Sequence, residues 1–563
     1  MAIVDNRTVV DLATAASAYV GTGLGDDNEI FYQGSNSVAE VFTNSQRTIL
    51  YNATTTQNWS NNTFLILVNC GIVGLLKSIA GTGSNDPGFG VRFTGAATTD
   101  FFEVWVGGND SWPAAFAGGW VYFVVDIEEA STNPDNTGGT PPATTAIQHV
   151  GVFGETTNMP RNVDNTWLNG IWRIPSGTPG ILVEGQNTGS VDWTFADIES
   201  ASSTNLWGTF RPADGGAFVS NVPLRIGNGT DSVTHGFTDT NQTLLWQNTG
   251  FVADGYYGID VIGSATNTVN VTWGIKTGTG NDATGAQGVT VQSDANTTGL
   301  RWYLDVNDAN IDSFNAYGCS FINGQTFSMD QNNVETISST FLNCNSAVQS
   351  LSTNSSLWQR NAVVDANTAD GVAFLKTVDL DNIKYSTFEF SDGHAIEITT
   401  LGTTTSFTST ENIFTGYNAT IGSNDAVFYN NSGQEVNISA VANTPSIPSY
   451  RNGTSATTNV TADITITVTN LKDNTEVRVY DTSTIDNNPA GGYDTPTEIA
   501  GIENATAGTT DARTFSFTVA AGTQITIRTF NINWIADDVT VTPTESGDVQ
   551  IAQRTDRVFD NPT

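Results

Sequence analysis

Basic residues are scarce in this sequence. The 563 residues include 20 Lys and Arg against 57 Asp and Glu, which gives a formal net charge of −37 at neutral pH. An acidic chain of this kind repels a phosphate backbone, so the composition argues against nucleic-acid binding. Only 14% of the residues are charged, however, so we expect a surface that is mostly neutral and polar.

Cysteines and long apolar runs are also rare. The three cysteines, Cys70, Cys319 and Cys344, are odd in number, so we expect buried thiols rather than a disulfide framework. No run of about 18 apolar residues occurs, which argues against insertion into a membrane. Residues 1–7 contain no basic segment followed by an apolar run, so no secretory signal is expected.

Glycine, threonine, asparagine and serine crowd the sequence instead. No long amphipathic helical pattern is present, and this composition is typical of an all-β protein with many turns. The 13 Trp and 29 Phe, within a hydrophobic fraction of 38%, are enough to build packed cores. The length is too great for one core and predicts about three domains.

Short, similar segments recur between residues 318 and 418. Their central apolar residues are Phe321, Phe341, Val363, Phe388 and Phe414, so the steps are 20, 22, 25 and 26 residues. Each unit holds two further β-like pieces. Three short strands per unit, at a period of about 20–30 residues, are typical of a parallel β-helix, in which each turn buries its apolar face against the next.

Two asparagines hold matching places in consecutive units. Asn323 follows Phe321 by two residues, and Asn343 follows Phe341 in the same way. This match predicts a stack of the two aromatic rings and a ladder of Asn side chains at one corner. Such ladders satisfy backbone groups that a tight turn leaves unpaired.

The pattern divides the chain into three predicted parts. Proline breaks a strand ladder, so we place the end of the repeats at Pro445 and Pro448 and their start after the Pro- and Gly-containing segment 175–180. The predicted parts are a β-sandwich of the jelly-roll type (residues 1–175), a right-handed parallel β-helix (176–445) and a small antiparallel β-sandwich (446–563).

Two motifs stand out in the first quarter of the chain, Phe-Tyr-x-Gly-Ser-x-Ser at residues 31–37 and Gly-Trp-Val-x-Phe-Val-Val-Asp at residues 119–126. In these motifs the chain resembles laminin-G and concanavalin-like sandwiches. It implies a two-sheet sandwich. Members of that fold often bind glycans, frequently with a calcium ion, but the fold does not fix the function.

Two loops offer the hard oxygen ligands that Ca²⁺ prefers. The first loop contains Asp26, Asp27, Asn28 and Glu29. The second loop, at residues 305–312, alternates Asp and Asn but lacks the glycine and the terminal glutamate of an EF-hand loop. Plain turn formation is the alternative for both loops, because Asp and Asn favour turns.

Asp379 and Asp381 are the carboxylate pair best placed for catalysis. On a strand they would point to one face about 7 Å apart, which suits glycoside hydrolysis. His394, in an Asp-Gly-His segment of the next unit, completes this candidate site. The full pectinase pattern is absent, so we favour solvated charges on an outer face and expect no enzyme activity.

Several tryptophans could stack on sugar rings. Most are expected in the core, where Trp usually packs. Trp112 precedes Pro113 in a loop, so we predict that it is exposed and contacts glycan. The histidines lack the spacing of zinc ligands. The tryptophans considered are Trp59, Trp105, Trp112, Trp120, Trp167 and Trp172.

The predicted order of sandwich, β-helix and sandwich, in an Asn-, Thr- and Gly-rich chain, resembles tailspikes, fibres and capsid-decoration proteins of tailed bacteriophages. The resemblance implies a structural protein on the particle exterior, made in the host cytoplasm and bound to other virion proteins of the capsid or tail. It also implies a homotrimer and attachment to host surface glycan. A tailspike that degrades polysaccharide on its β-helix face and a secreted bacterial adhesin are the alternatives.

Overall fold

A computed structural model gives the structure of most of the chain. Strands dominate it and helices are short, so the predicted all-β, sandwich-type class is confirmed. Among the described residues no helix is both long and apolar enough to cross a membrane. The structure describes residues 3–41, 47–70, 88–106, 120–155, 165–185, 192–201, 209–213, 216–238, 241–246, 250–252, 256–293, 302–306, 308–329, 334–345, 347–348, 357–366, 368–485, 496–503, 513–531, 534–544 and 546–552.

The chain divides into two compact units. The first contains residues 1–369 and 374–376, and the second contains residues 370–373 and 377–563. The chain crosses from one unit to the other within the strand Ala373–Thr377. The short helices are Ala16–Ala18, Ile127–Thr132, Thr144–Ala146, Phe195–Ala201, Gly280–Asp282, Leu380–Asn382 and Thr482–Thr484.

The first unit begins with two antiparallel sheets around one apolar core. Core residues such as Phe64, Ile66 and Val68 alternate along one strand and face the second sheet. The strands of the first sheet are Trp120–Asp126, Asn62–Cys70, Asn165–Pro175, Ser37–Val41 and Gly25–Asp27, with Thr8–Asp11 beside Asn165–Pro175. The strands of the second sheet are Asn136–Gly138, Phe101–Val106, Gly88–Thr94, Ile147–Glu155, Arg47–Gln57 and Tyr19–Val20.

From residue 181 onward, short strands of the first unit pair in parallel and form three ladders, which the chain visits in the repeating order 1, 2, 3. Ladder 1 contains Ile181–Val183, Leu224–Ile226, Gly258–Val261, Trp302–Asp305, Gly324–Ser328 and Ala347–Val348. Ladder 2 contains Asp192–Trp193, Val233–Phe237, Val269–Trp273, Ser313–Tyr317, Val334–Ile337 and Leu357–Gln359. Ladder 3 contains Ala217–Ser220, Thr243–Trp246, Thr290–Ser293, Ser320–Ile322, Thr340–Leu342 and Ala362–Ala366.

Antiparallel strands cover the first strand of two ladders. Ile3–Asp5 pairs with Ile181–Val183, and Phe210–Ala213 pairs with Ala217–Ser220. A covered edge presents no free row of backbone groups to another chain. The strand Gly250–Phe251 leaves the ladders and pairs with Trp120–Asp126 of the first sandwich sheet. A hairpin of Ile275–Thr277 and Thr284–Ala286 extends from the ladder region.

Aromatic side chains stack inside the ladder region. Phe321 lies in register with Phe341, and Phe341 lies in register with Val363, so the predicted period is confirmed for these three positions. The ring centroids of Phe321 and Phe341 are 4.9 Å apart, and Trp358 stacks on Phe341 at 5.0 Å. The thiols of Cys319 and Cys344 are buried as predicted, whereas the Cys70 side chain lies outside the described part.

The second unit contains three further parallel ladders. Phe388 and Phe414 are in register in one of them, and their rings stack 5.4 Å apart, which confirms the predicted period there. Ladder 4 contains Ile383–Lys384, Thr405–Thr410, Glu435–Val441 and Thr457–Leu471. Ladder 5 contains Thr387–Ser391 and Ile413–Thr415. Ladder 6 contains His394–Ile398, Phe428–Asn430 and Tyr450–Asn452.

The last strand of ladder 4 continues into a C-terminal sandwich. The second half of Thr457–Leu471 pairs antiparallel with Arg513–Ala520 and parallel with Gly547–Gln550. Ile464, Ile466 and Ile527 belong to the core between the two sheets. The strands of the opposite sheet are Glu498–Ile502, Glu476–Asp481, Ile525–Asn531 and Trp534–Val541.

Candidate functional site

An open groove of about 470 Å³ lies on the outer face of ladder 1 in the first unit. Arg225, Asp260, Asp305 and Asp308 contribute its charged groups. Arg225 lies between the buried residues of Leu224–Ile226, so strand alternation turns it outward.

Three of these charged residues are in register. Arg225 is opposite Asp260, and Asp260 is opposite Asp305, on three successive strands. Arg225 Nη2 lies 3.1 Å from Asp260 Oδ2. Because neighbouring strands are about 4.8 Å apart, the carboxylates of Asp260 and Asp305 can stand side by side, with a guanidinium on one flank.

A tyrosine lies beside the central carboxylate of the groove. Burial, followed by the Asp260 charge, raises the pKa of Tyr303 well above its ordinary value. Gly258 makes room for the tyrosine ring, since a Cβ at this position would come within 2.4 Å of it. Asp260 is oriented by Arg225, and it can accept hydrogen bonds from a bound polyol or act with Asp305 as an acid–base pair.

In the 305–312 loop, which the sequence offers as a calcium site, two carboxylates accept hydrogen bonds from backbone N–H groups. Asp308 Oδ1 accepts the backbone N–H of Asn310 at 2.9 Å, and Asp312 accepts the N–H of Val269. Asn307 lies outside the described residues. In the described ranges, no three His, Cys, Asp or Glu residues are grouped to hold a metal ion. The sequence reasoning missed Arg225 and Asp260, because only strand pairing brings them beside this loop.

The other predicted calcium loop is similarly engaged. Asp26 accepts the N–H of Ala16, and Asp27 Oδ1 accepts the N–H groups of Glu29 and Ile30. Asp27 Oδ2 accepts the indole Nε1–H of Trp167 at 2.7 Å, and this hydrogen bond is the main cause of the lowered pKa of Asp27. The geometry favours turn formation, and calcium binding by Asp26, Asp27, Asn28 and Glu29 stays a prediction.

Asp379 and Asp381 do not lie on a strand, so the predicted same-face geometry was wrong. Asp379 caps the short helix Leu380–Asn382 and accepts the N–H of Asp381 at 3.0 Å. Asp381 in turn accepts the N–H of Thr408. Aspartate is a favoured N-cap because its carboxylate satisfies N–H groups that have no partner in the first turn. Burial raises the pKa of Asp379.

His394 is a buried, neutral histidine rather than part of a carboxylate site. Its Nδ1 lies 2.7 Å from the carbonyl oxygen of Ala426, so Nδ1 carries the proton. Its ring stacks on Tyr429 at 5.0 Å, and burial lowers its pKa. The charged groups that act on its pKa are Arg451, Glu397 and Asp425, and neither Asp379 nor Asp381 is among them.

Fewer of the predicted tryptophans lie in the core than expected. Trp59 and Trp172 are buried in the first unit. Trp105, Trp120 and Trp167 are half-buried. The predicted glycan contact, Trp112, lies outside the described residues.

A second, uncharged groove of about 270 Å³ lies on the outer face of ladder 4 in the second unit. Asn459 Nδ2 donates to Asn437 Oδ1 at 2.9 Å, which orders two of its amides. The neutral side chains of this surface could meet the hydroxyl groups of a sugar without burying charge. The polar residues that line it are Ser406, Thr408, Asn437, Ser439, Asn459 and Thr461.

Comparisons with known proteins do not identify a function for these grooves. No protein-family model matches the chain, and no curated protein matches it. The structure of an exo-beta-agarase is similar over 38% of this chain and 31% of the agarase chain, at 9% sequence identity and a TM-score of 0.17. A likeness this weak supports no argument about fold or activity.

Proposed function

We propose that ladders 1–6 are the sides of right-handed parallel β-helical turns and that the protein is a structural, host-attachment component of a tailed-phage particle. One observation carries the proposal: the chain visits ladders 1, 2 and 3 in a fixed cyclic order, with parallel pairing from turn to turn. Repeated turns that bury their apolar faces against each other form a stiff body. Stiffness without free lateral edges suits an exterior component of a particle.

The outer faces of the ladders support the attachment part of the proposal. The groove on ladder 4 offers hydroxyls and amides, and the groove on ladder 1 offers an oriented carboxylate. A glycan on the host surface is the ligand class that matches such hydrogen-bonding groups. Capsid or tail proteins would be the other partners, and the phage resemblance favours a homotrimer.

Cryo-electron microscopy of the purified full-length protein tests the structural part. We expect strand layers spaced about 4.8 Å apart and, in light scattering, a mass three times that of the 59.7 kDa chain. A particle without stacked strand layers would overturn it. The protein should also be found by mass spectrometry and immunogold labelling on purified phage particles, and its absence from them would refute the virion assignment.

Cleavage of polysaccharide is a second candidate function, favoured by the Asp260–Asp305 pair. Strand spacing of about 4.8 Å places the two carboxylates near the separation of about 5–5.5 Å that retaining glycosidases use. In this function Asp260, held by Arg225, would be the nucleophile, and Asp305 would be the acid.

An assay for new reducing ends, with surface polysaccharide extracted from the host, separates the two functions. The structural proposal expects none. The second function would be established if the protein releases new reducing ends, if Asp260→Asn or Asp305→Asn abolishes this release, and if Asp379→Asn leaves it unchanged. If the release depends on Asp379 and Asp381 instead, the catalytic pair predicted from the sequence would be restored.

A further inference from the structure

Two tryptophans and an asparagine form one row across the first sandwich sheet. Trp120 is opposite Asn69, and Asn69 is opposite Trp167, on three adjacent antiparallel strands. Val68, Val121 and Leu168, their neighbours in sequence, all belong to the core between the two sheets. Strand alternation therefore turns the row to the opposite face. We call these three residues the Trp–Asn–Trp row.

The row combines two half-buried indoles with an unused amide. The tryptophans lie two strand spacings apart, roughly 10 Å, with Asn69 between them. Within the described part of the chain, the Asn69 side chain makes no hydrogen bond. It therefore keeps two donors and one acceptor for a ligand.

The indole of Trp167 is held in place by a carboxylate. Its Nε1–H donates to Asp27 Oδ2, and the other oxygen of Asp27 accepts the N–H groups of Glu29 and Ile30. The ring is therefore oriented before any ligand arrives. A pre-organised side chain loses less conformational entropy when it binds.

An ordered loop with exposed apolar residues adjoins the row. The ring of Tyr32 lies 6.3 Å from that of Trp120, tilted by 59°. Ile30, Phe31 and Tyr32 are 38%, 39% and 42% exposed. A run of three large exposed apolar residues is unusual on a surface that is otherwise polar, and such patches mark interaction sites.

A fully buried asparagine holds this loop. Asn169 Oδ1 accepts the N–H groups of Tyr32 and Gln33, at 2.6 and 2.7 Å. Its Nδ2 donates to the carbonyl oxygens of Gln33 and Asn36. These four bonds fix the loop, so the exposed residues belong to a built surface.

We propose that the Trp–Asn–Trp row, with Tyr32, binds an uncharged glycan of at least two sugar residues. The apolar faces of two sugars would pack on Trp120 and Trp167, as apolar surfaces pack on aromatic rings. Asn69 would bond a hydroxyl between them. Asp27 and the net charge of −37 disfavour an acidic glycan. This inference rests on the proposed attachment function and adds a site on the first sandwich to the grooves on the ladders.

The size of the surface favours a glycan over a protein partner. A stable protein interface uses about 20–30 residues on each side. Within the described ranges, the row and its loop offer only a few side chains. Short saccharides need no more, because a few aromatic contacts and fixed polar groups are enough to orient a small ligand.

Binding of the full-length protein to immobilised agarose, dextran, mannan and cello-oligosaccharides tests the inference, with heparin as the acidic comparison. We expect binding to at least one uncharged probe and none to heparin. Trp120→Ala and Trp167→Ala should each weaken binding tenfold or more, and Asn69→Ala several-fold. Thermal unfolding of each variant checks that it is folded.

Trp105 supplies a matched control. It is also half-buried, and its Nε1 donates to the carboxylate of Glu103 at 2.9 Å, but it belongs to the second sandwich sheet. Trp105→Ala should therefore leave glycan binding unchanged. Trp167→Phe, which keeps a ring but loses the bond to Asp27, should retain part of the affinity.

Three results would overturn the inference. The first is that the protein binds none of the uncharged probes. The second is that a folded Trp120→Ala/Trp167→Ala double variant binds them as the wild type does, and the third is that substitutions in the row change the oligomeric mass but not glycan binding. Failure of the virion assignment would look different, because the protein would be missing from phage particles while binding to the probes stayed intact.

Discussion

The side-chain amide of Asn343 donates a hydrogen bond to Oδ1 of Asn323, 2.8 Å away in the preceding turn. Both residues have a positive φ, 52° and 57°, a conformation that asparagine tolerates better than most other residues. Asn323 Nδ2 in turn donates to the carbonyl oxygen of Ser293 at 3.0 Å. The predicted Asn ladder is therefore confirmed, and it links the ends of consecutive strands of ladder 3.

We expect Asn343→Ala to loosen this corner more than Asn343→Gly. Both changes remove a hydrogen bond worth about 0.5–1.5 kcal/mol. Alanine also costs about 1–2 kcal/mol in the left-handed conformation, which glycine adopts freely. Hydrogen exchange of the Thr340–Leu342 amides should therefore quicken from wild type to Gly to Ala. Faster exchange in the glycine variant would contradict the role assigned to the positive φ.

Phe341 should be among the costliest side chains to shorten. It is fully buried between Phe321 and Trp358. Phe341→Ala should cost about 3–5 kcal/mol, as large cavities in a core do. Phe530, which is 45% exposed, gives the control, and Phe530→Ala should stay within about 0.5 kcal/mol. Denaturant midpoints measured by near-UV circular dichroism compare the two, and equal shifts would argue against a packed interior.

Acid should destabilise the first unit through His235. Burial lowers the pKa of His235 to about 3, so below its ordinary value of 6.5 the unfolded chain binds a proton that the folded chain does not. Stability is therefore lost as pH falls through this window, by about 1.4 kcal/mol per pH unit.

The comparison with His235→Gln isolates this effect. Between pH 6.5 and 5 most carboxylates are still ionised. Glutamine can still accept from Trp273 Nε1, which lies 3.3 Å from His235 Nδ1, but it cannot titrate. The variant should show a shallower fall of the unfolding midpoint over this range. Parallel pH profiles for the two proteins would refute the assignment.

The two described thiols should not react with a disulfide reagent until the chain unfolds. Cys319 and Cys344 are buried thiols, and burial raises the pKa of Cys319 to about 12. Thiolates, not thiols, react with disulfide reagents. In a Cys70→Ser background, Ellman's reagent at pH 8 should label neither thiol in the folded protein and both in guanidinium. Rapid labelling of the folded protein would show that the ladder interior opens readily.

The sequence revealed the repeats where the turns are short and regular. Phe321 and Phe341 recur at nearly constant spacing because each fills the same inward position, so their register was readable without coordinates. The Trp–Asn–Trp row was not readable, because antiparallel pairing joins residues 69, 120 and 167 from distant parts of the sequence. Asp379 misled the site prediction, because its spacing from Asp381 suits a strand and a helix cap equally well.

The strand Thr457–Leu471 gives the second unit a mechanical property. Its first half is bonded to Glu435–Val441 in ladder 4, and its second half to Arg513–Ala520 in the C-terminal sandwich. A pull on the sandwich would load both sets of backbone bonds along the strand, so that many must break together. Tension would thus pass from sandwich to ladder through one unbroken backbone segment, with no flexible linker to absorb it.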